Sequence, residues 1–299
     1  MAQVLISGGS GLVGKTLCEK LKTKGYDVAI LSRSNKSEFK TYLWNPAKNE
    51  IDPEAISSSD YIIHLAGANI AEKRWSKSRK ELIVDSRVKS ANLIFNEVKK
   101  QNKELKAFIS ASGVGYYGAI TSEEIFTEES RVANDFLGET CAKWESAAKQ
   151  FETLNIRTTM LRTGIVLTKQ GGALSKMSIP VKLGLASALG NGKQYLPWIH
   201  IDDLCEIYIK AIEDTDMNGI FNAVAPDSQT NKSFTQTLAK TLNKPYWLPN
   251  TPSFLLNMIL GEMSVIVLEG SRAASDKILK RGYAFKFPKL EDALNEILK

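Results

Sequence analysis

A chain of 299 residues with 43% hydrophobic and 24% charged residues has the composition of an ordinary globular protein, with room for one large α/β domain or two unequal lobes. No apolar run approaches the roughly 20 residues of a membrane helix, and no basic region with an apolar run suggests a signal peptide, so a cytoplasmic protein without a membrane partner is expected. The net charge of +6 comes from scattered lysines rather than a basic stripe interleaved with aromatics, and Cys18, Cys141 and Cys205 are widely spaced with no C-x-x-C pair. These features disfavour nucleic acid as a partner, disulfides and a metal site, and they leave a small phosphate-bearing ligand.

Val4, Leu5 and Ile6 read as a short buried strand, and residues 15–24 as a helix with Leu17 and Leu21 on one face. Between them stands a glycine turn, with Gly8 for the sharp bend, Gly11 for close approach of a pyrophosphate, and Gly14 for close packing of helix on strand. Gly8, Ser10, Gly11, Leu12, Val13 and Gly14 are therefore candidate cofactor-binding residues, the helix N-terminus supplying unpaired N–H groups. The second strand, 27–31, ends in Ser32, Arg33 and Ser34 where an acidic residue would select NAD. A guanidinium between two hydroxyls suits a 2′-phosphate instead, so NADP is the expected cofactor.

Residues 60–65 form another apolar strand, with His64 read as a packed core histidine. The strand runs into Leu65, Ala66 and Gly67, small enough for a cofactor to lie across. A polar stretch with Arg74 and Trp75 precedes a helix over 80–100. The strand 107–112 ends at Ser112, followed by Tyr116 and Tyr117 on a glycine-flanked turn, which places three hydroxyls where a nicotinamide ring should arrive. Further on, a helix is expected over 136–151, strands at 156–161 and 165–167, and a glycine-rich ligand-covering loop at 184–197. A helix beginning at 198, a last sheet strand at 221–224, a helix over 230–242 capped by Asn231 or Ser233, and a mostly helical tail complete the chain. The expected fold is α/β, a Rossmann-type doubly wound parallel sheet with a smaller C-terminal substrate-binding lobe. Residues 1–168, completed by the strand near 219–224, form the first domain, and 169–299 mainly form the lobe.

Taken together, these stretches resemble the extended branch of the short-chain dehydrogenase/reductase superfamily. They are most similar to its atypical YfcH-like group, described as nucleoside-diphosphate-sugar epimerase-like. The glycine turn, Leu65 to Ile70, Arg74-Trp75, Ser86 to Val88, Ser110 to Gly118, Trp144-Glu145, Leu161 to Leu167, Trp198 to Asp203 and Gly261-Glu262 carry the resemblance. It implies an NADP(H)-dependent oxidoreductase or epimerase of a small hydroxyl or carbonyl compound, nucleotide-sugars included, and a homodimer formed through helices 80–100 and 136–151.

The superfamily pairs a serine with a Tyr-x-x-x-Lys on one helix. Ser112 fits the serine, but none of the nine tyrosines has a lysine four residues later. The matching positions hold Leu137 and Cys141. Lys143 lies two residues beyond Cys141, about 200° around the helix, and should point elsewhere. Ser112 with Tyr116 or Tyr117 as the acid is the catalytic expectation, and Cys141 is read as a buried structural thiol. Arg74, Trp75, Trp198 and His200 are the expected substrate-binding residues, and Arg87 is expected either to hold an anionic substrate with them or to bind a carboxylate such as Glu128. The alternative is an NADP(H)-binding regulatory or scaffold protein without hydride chemistry.

Overall fold

The computed structural model describes residues 1–299. β1 (Gln3–Ser7) turns into α1 (Leu12–Thr23), followed by β2 (Asp27–Ser32), β3 (Lys40–Asn45) and the two-residue β4 (Glu50–Ile51). Next come the short α2 (Pro53–Ser57), β5 (Tyr61–His64), the long α3 (Lys77–Lys100), β6 (Ala107–Gly113) and β7 (Ile125–Phe126). The middle of the chain supplies α4 (Phe136–Lys149), β8 (Thr158–Thr163), β9 (Ile165–Leu167), α5 (Gly172–Lys182), β10 (Trp198–His200), α6 (Ile201–Glu213) and β11 (Gly219–Ala223). The remainder holds α7 (Asn231–Thr241), α8 (Ser253–Leu260), α9 (Val265–Leu268), β12 (Arg272–Ala273), α10 (Asp276–Lys280) and α11 (Leu290–Leu298).

The main sheet has the order β11-β8-β6-β5-β1-β2-β3-β4. Its strands are parallel except β4, which runs antiparallel to β3 at one edge. Apolar side chains cover both faces, as a parallel sheet needs. On one face Leu17 and Leu21 of α1 meet Leu204, Ile207 and Tyr208 of α6; on the other Leu93, Ile94 and Val98 of α3 meet Ala148 and Phe151. The strand order reverses between β1 and β5, so connections leave in opposite directions there and open a crevice at the carboxyl ends.

The second half of the chain contributes more to this first layer than a single strand. α6 packs against α1, and Lys20 joins them through Asp202 and Glu206, both at 3.2 Å. β9 lies outside the main sheet and pairs with β10, so residues 198–200 are strand, and the helix begins at Ile201. A separate apolar core of Leu174, Trp198, Phe234, Leu238 and Leu294 supports the C-terminal lobe. α7 is capped by Thr230, whose hydroxyl takes the Ser233 N–H while the Ser233 hydroxyl takes that of Thr230, a reciprocal box one residue earlier than Asn231. No helix is long and apolar enough to cross a membrane.

Candidate cofactor and catalytic site

At the carboxyl end of β1 the backbone makes a cradle that side chains would fill. Gly8 has φ +76°, and its carbonyl accepts the Gly11 N–H at 2.9 Å. A Cβ on Gly14 would lie 2.2 Å from the Gly8 oxygen and 2.7 Å from the Gly9 Cα, so only glycine lets α1 start this close to the strand. Gly11, at the N-cap, provides no capping side chain, which leaves the first N–H groups of α1 free for an anion. Ser10 is exposed at the turn, and Leu12 and Val13 open the helix beside it.

Leu65 is brought against this turn, with its carbonyl carbon 2.9 Å from where a Gly8 Cβ would stand. The Ala66 N–H donates to Ser7 Oγ, which in turn pairs with His64 Nδ1 at 2.7 Å. Burial holds the His64 pKa down to about 4, so its ring is a neutral part of the core. At the end of β2, Ser32 Oγ accepts the Ser34 N–H, and Arg33 is exposed with no carboxylate partner. These residues fit a dinucleotide: a glycine cradle for the pyrophosphate and an unpaired guanidinium one strand away.

The far end of the crevice is built from side chains. Strand register sets Ser112 of β6, Arg162 of β8 and Asn222 of β11 side by side. Ser112 Oγ donates to Glu145 Oε1 at 2.7 Å, and Arg162 grips the same carboxylate with Nε and Nη2, both at 2.8 Å. Arg162 Nη1 donates to the Tyr117 hydroxyl at 3.1 Å, which donates to Asn222 Oδ1 at 2.7 Å. Burial works against the Arg162 charge, but the Glu145 carboxylate more than offsets it and raises its pKa. Burial also pushes the Tyr117 phenol up to about 12, against the pull of Arg162.

Tyr116 differs from its neighbour. Its ring centroid lies 3.3 Å from the Arg162 guanidinium carbon, yet its hydroxyl makes no hydrogen bond and the residue is half-buried. Of the two tyrosines, only Tyr116 keeps a free hydroxyl.

α4, whose N-cap Asp135 accepts the Gly138 N–H at 2.8 Å, presents Leu137 and Cys141 to the turn after β6. A Cβ on Gly115 would meet Leu137 Cβ at 3.4 Å and Cys141 Sγ at 3.7 Å. Burial pushes the Cys141 thiol up to about 12, Glu145 adds to the rise, and Arg87 opposes it. Lys143 is exposed and faces Glu139 at 3.7 Å.

Several expected contacts are replaced by others. Arg87 binds no carboxylate: its Nη1 donates to the carbonyls of Ala68 and Ile83 at 3.1 and 2.8 Å. Arg74 is turned to the last carbonyls of α8, those of Met258 and Ile259, where a cation suits the negative helix end. Trp198 is fully buried in the C-terminal lobe and donates to the Asp227 carbonyl at 2.8 Å, which leaves no face for a substrate. His200, also buried, accepts the Asp202 N–H on Nδ1, pairs with Glu296 through Nε2 at 3.0 Å and lies against Phe287. Trp75 sets its ring edge-on to Phe136 at 4.8 Å and donates its indole N–H to the Ile70 carbonyl at 2.9 Å. Sequence reasoning missed Glu145, Arg162 and Asn222. The readable signal was a charge inside an apolar strand (Met160 to Arg162) and a glutamate on the apolar face of α4 between Trp144 and Ala147.

The family model described as NAD dependent epimerase/dehydratase family matches residues 4–223, and a domain of unknown function (DUF1731) matches 251–297. An epimerase family protein of Staphylococcus aureus is 34% identical over 307 residues, covering 100% of both chains. The crystal structure of a human epimerase family protein with NADPH is 32% identical, with a TM-score of 0.87 over 99% of this chain and 98% of that one. A nucleoside-diphosphate sugar epimerase structure from Corynebacterium glutamicum is 30% identical, with a TM-score of 0.82 over 99% of this chain and 58% of its own.

Proposed function

The chain belongs to the NAD dependent epimerase/dehydratase family and is an NAD(P)-binding protein of the extended short-chain dehydrogenase/reductase type, and on that premise we propose that it is an NADP(H)-dependent oxidoreductase or epimerase. Its substrate is a small hydroxyl- or carbonyl-bearing compound, with nucleotide-linked sugars among the candidates. The unpaired Arg33 between Ser32 and Ser34 supports NADP, as does the NADPH of the human relative. Bound, the cofactor supplies or accepts the hydride.

The chain's own residues supply the proton. The observation that carries this reading is Tyr116, a phenol with a free hydroxyl on the turn after β6 whose ring is fixed on a buried guanidinium at 3.3 Å. It donates the proton to a substrate oxygen during reduction and takes it back in the reverse direction. Ser112 already gives its own proton to Glu145, so its oxygen serves a substrate hydroxyl as acceptor. Tyr117 ties Arg162 of β8 to Asn222 of β11 through its hydroxyl.

A panel of small carbonyl compounds and nucleotide-linked sugars, followed by NADPH absorbance and by sugar interconversion, tests the proposal. Tyr116→Phe should lower kcat by about 10²–10⁴ while NADPH affinity stays within about twofold. Unchanged turnover in that variant would remove Tyr116 as the acid. The scaffold reading draws support from Leu137 and Cys141, which face the turn in place of the family's tyrosine and lysine. It expects NADPH binding with no turnover of any member of the panel.

A further inference from the structure

The lysine missing from α4 leaves that helix without a cation beside the crevice, and Cys141 stands in its place. A cation comes close enough to Cys141 to act on its thiol from a different helix. Arg87, in the middle of α3, lays its guanidinium on the backbone of Gly67, where an added Cβ would lie 3.1 Å from Arg87 Cζ. Gly67 follows β5, the strand across the switch point from β1, on the side of the sheet that leads to β6 and Ser112. The adenosine side, with Arg33, lies the other way, beyond β2.

Part of Arg87 serves the fold. Its Nη1 donates to the Ala68 carbonyl, and Ser86 Oγ accepts the Ala68 N–H at 2.9 Å, so α3 clamps this loop residue from both sides. That clamp uses one nitrogen of three. Nε and Nη2 make no hydrogen bond, and no carboxylate lies within ion-pair distance. Burial lowers the Arg87 pKa, with the neighbouring cation Arg79 acting in the same direction. The Arg87 guanidinium carbon sits 4.8 Å from the ring centroid of Trp144, whose own indole N–H is buried without an acceptor. Nε and Nη2 are not among the buried unpartnered atoms, so they are donors open to solvent that the oxygens of a ligand can take over from water.

We propose that Arg87 is a cofactor-binding residue whose Nε and Nη2 bond the oxygens of the nicotinamide nucleotide half, so that α3 supplies the cation that α4 lacks. This rests on the reading that the chain binds NADP(H), and the probes separate the two. NADPH spans both halves of the site, whereas adenosine 2′,5′-bisphosphate occupies only the adenosine half.

Both ligands are titrated against wild type, Arg87→Gln and the double variant Arg87→Gln/Cys141→Lys. Arg87→Gln should bind NADPH at least tenfold more weakly, ~1.4 kcal/mol, with bisphosphate affinity held within about twofold. A lysine at 141 should restore most of the NADPH affinity by returning a cation nearby, which a loop-clamping role alone would not predict. NADPH binding unchanged in Arg87→Gln, or equal losses of both ligands, overturns the proposal. If circular dichroism shows that Arg87→Gln does not fold, Arg87→Met replaces it, because an unbranched apolar stem keeps the packing against Gly67 and Trp144 but carries neither charge nor donors. A selective loss of NADPH there supports the assignment, and equal losses sink it. Wild-type protein that binds neither ligand would refute the NADP(H) reading itself.

Discussion

The two ends of the crevice are built by opposite means. The glycine end is made from backbone: Gly8 and Gly14 permit a geometry that any side chain would block, and Arg33, one strand away, is exposed and unpaired. The far end is a buried side-chain network in which Ser112, Glu145, Arg162, Tyr117 and Asn222 satisfy one another. A backbone cradle tolerates changes around it and fails when a glycine changes. A closed polar network holds its geometry tightly and fails when any charged member is removed.

The sharpest way to break this contrast is Glu145→Ala. Arg162 is fully buried, and the loss of its bidentate partner strands a guanidinium among apolar strands. A buried pair broken on one side costs about 3–5 kcal/mol, and urea denaturation at neutral pH should show a loss of that size. A loss below about 1 kcal/mol would mean that water or Glu128 takes over the guanidinium, and that the network is looser than its distances indicate.

The glycine end has its own buried support, and acid exposes it. His64 bonds Ser7, and Ser7 accepts the Ala66 N–H beneath the glycine turn. Its pKa falls from 6.5 to about 4 in the folded chain, so the unfolded chain takes up the proton first as the pH drops. The resulting stabilisation is fully present above pH 6.5 and is lost as the pH falls toward 4. Between pH 7.5 and 5.0 this one group should lower the stability by about 2 kcal/mol, a slope that His64→Asn should flatten. An identical slope in the variant would place the acid sensitivity elsewhere.

The same contrast explains what could be read from the chain. The glycine turn, its flanking strand and helix, and the Ser32-Arg33-Ser34 end of β2 lie within 34 residues, and local spacing states their geometry. The far end draws on β6, α4, β8 and β11, and only strand register brings Ser112, Arg162 and Asn222 into one row. Nothing in local periodicity announces register. Trp198 and His200 misled for a related reason: aromatic and ionisable side chains near a strand end suggest a site, but here an apolar core and the start of α6 absorb them. The absence of Tyr-x-x-x-Lys was readable, and the structure agrees on which face of α4 it concerns, because Leu137 and Cys141 meet the turn after β6.

Arg33→Ala tests the exposed end by affinity rather than stability. Its side chain forms no ion pair, so folding should be unaffected within about 0.5 kcal/mol. The preference for NADPH over NADH should fall at least tenfold, ~1.4 kcal/mol, in a fluorescence titration with both cofactors. Equal affinities of the wild type for the two would remove the phosphate role from this arginine.

The smallest expected effect separates position from proximity. Lys143 is the lysine nearest in sequence to the missing one, and a motif search that tolerated a shift of two residues would choose it. Helical geometry turns it about 200° from Cys141, and the structure shows an exposed side chain facing Glu139 four residues earlier. Exposed pairs of this kind contribute about 0.3–0.5 kcal/mol, so Lys143→Ala should change stability by no more than that and leave NADPH affinity unaltered. A tenfold loss of affinity in Lys143→Ala would mean that α4 turns when the cofactor binds. It would also move the search for the missing cation from Arg87 back to the helix where the family keeps it.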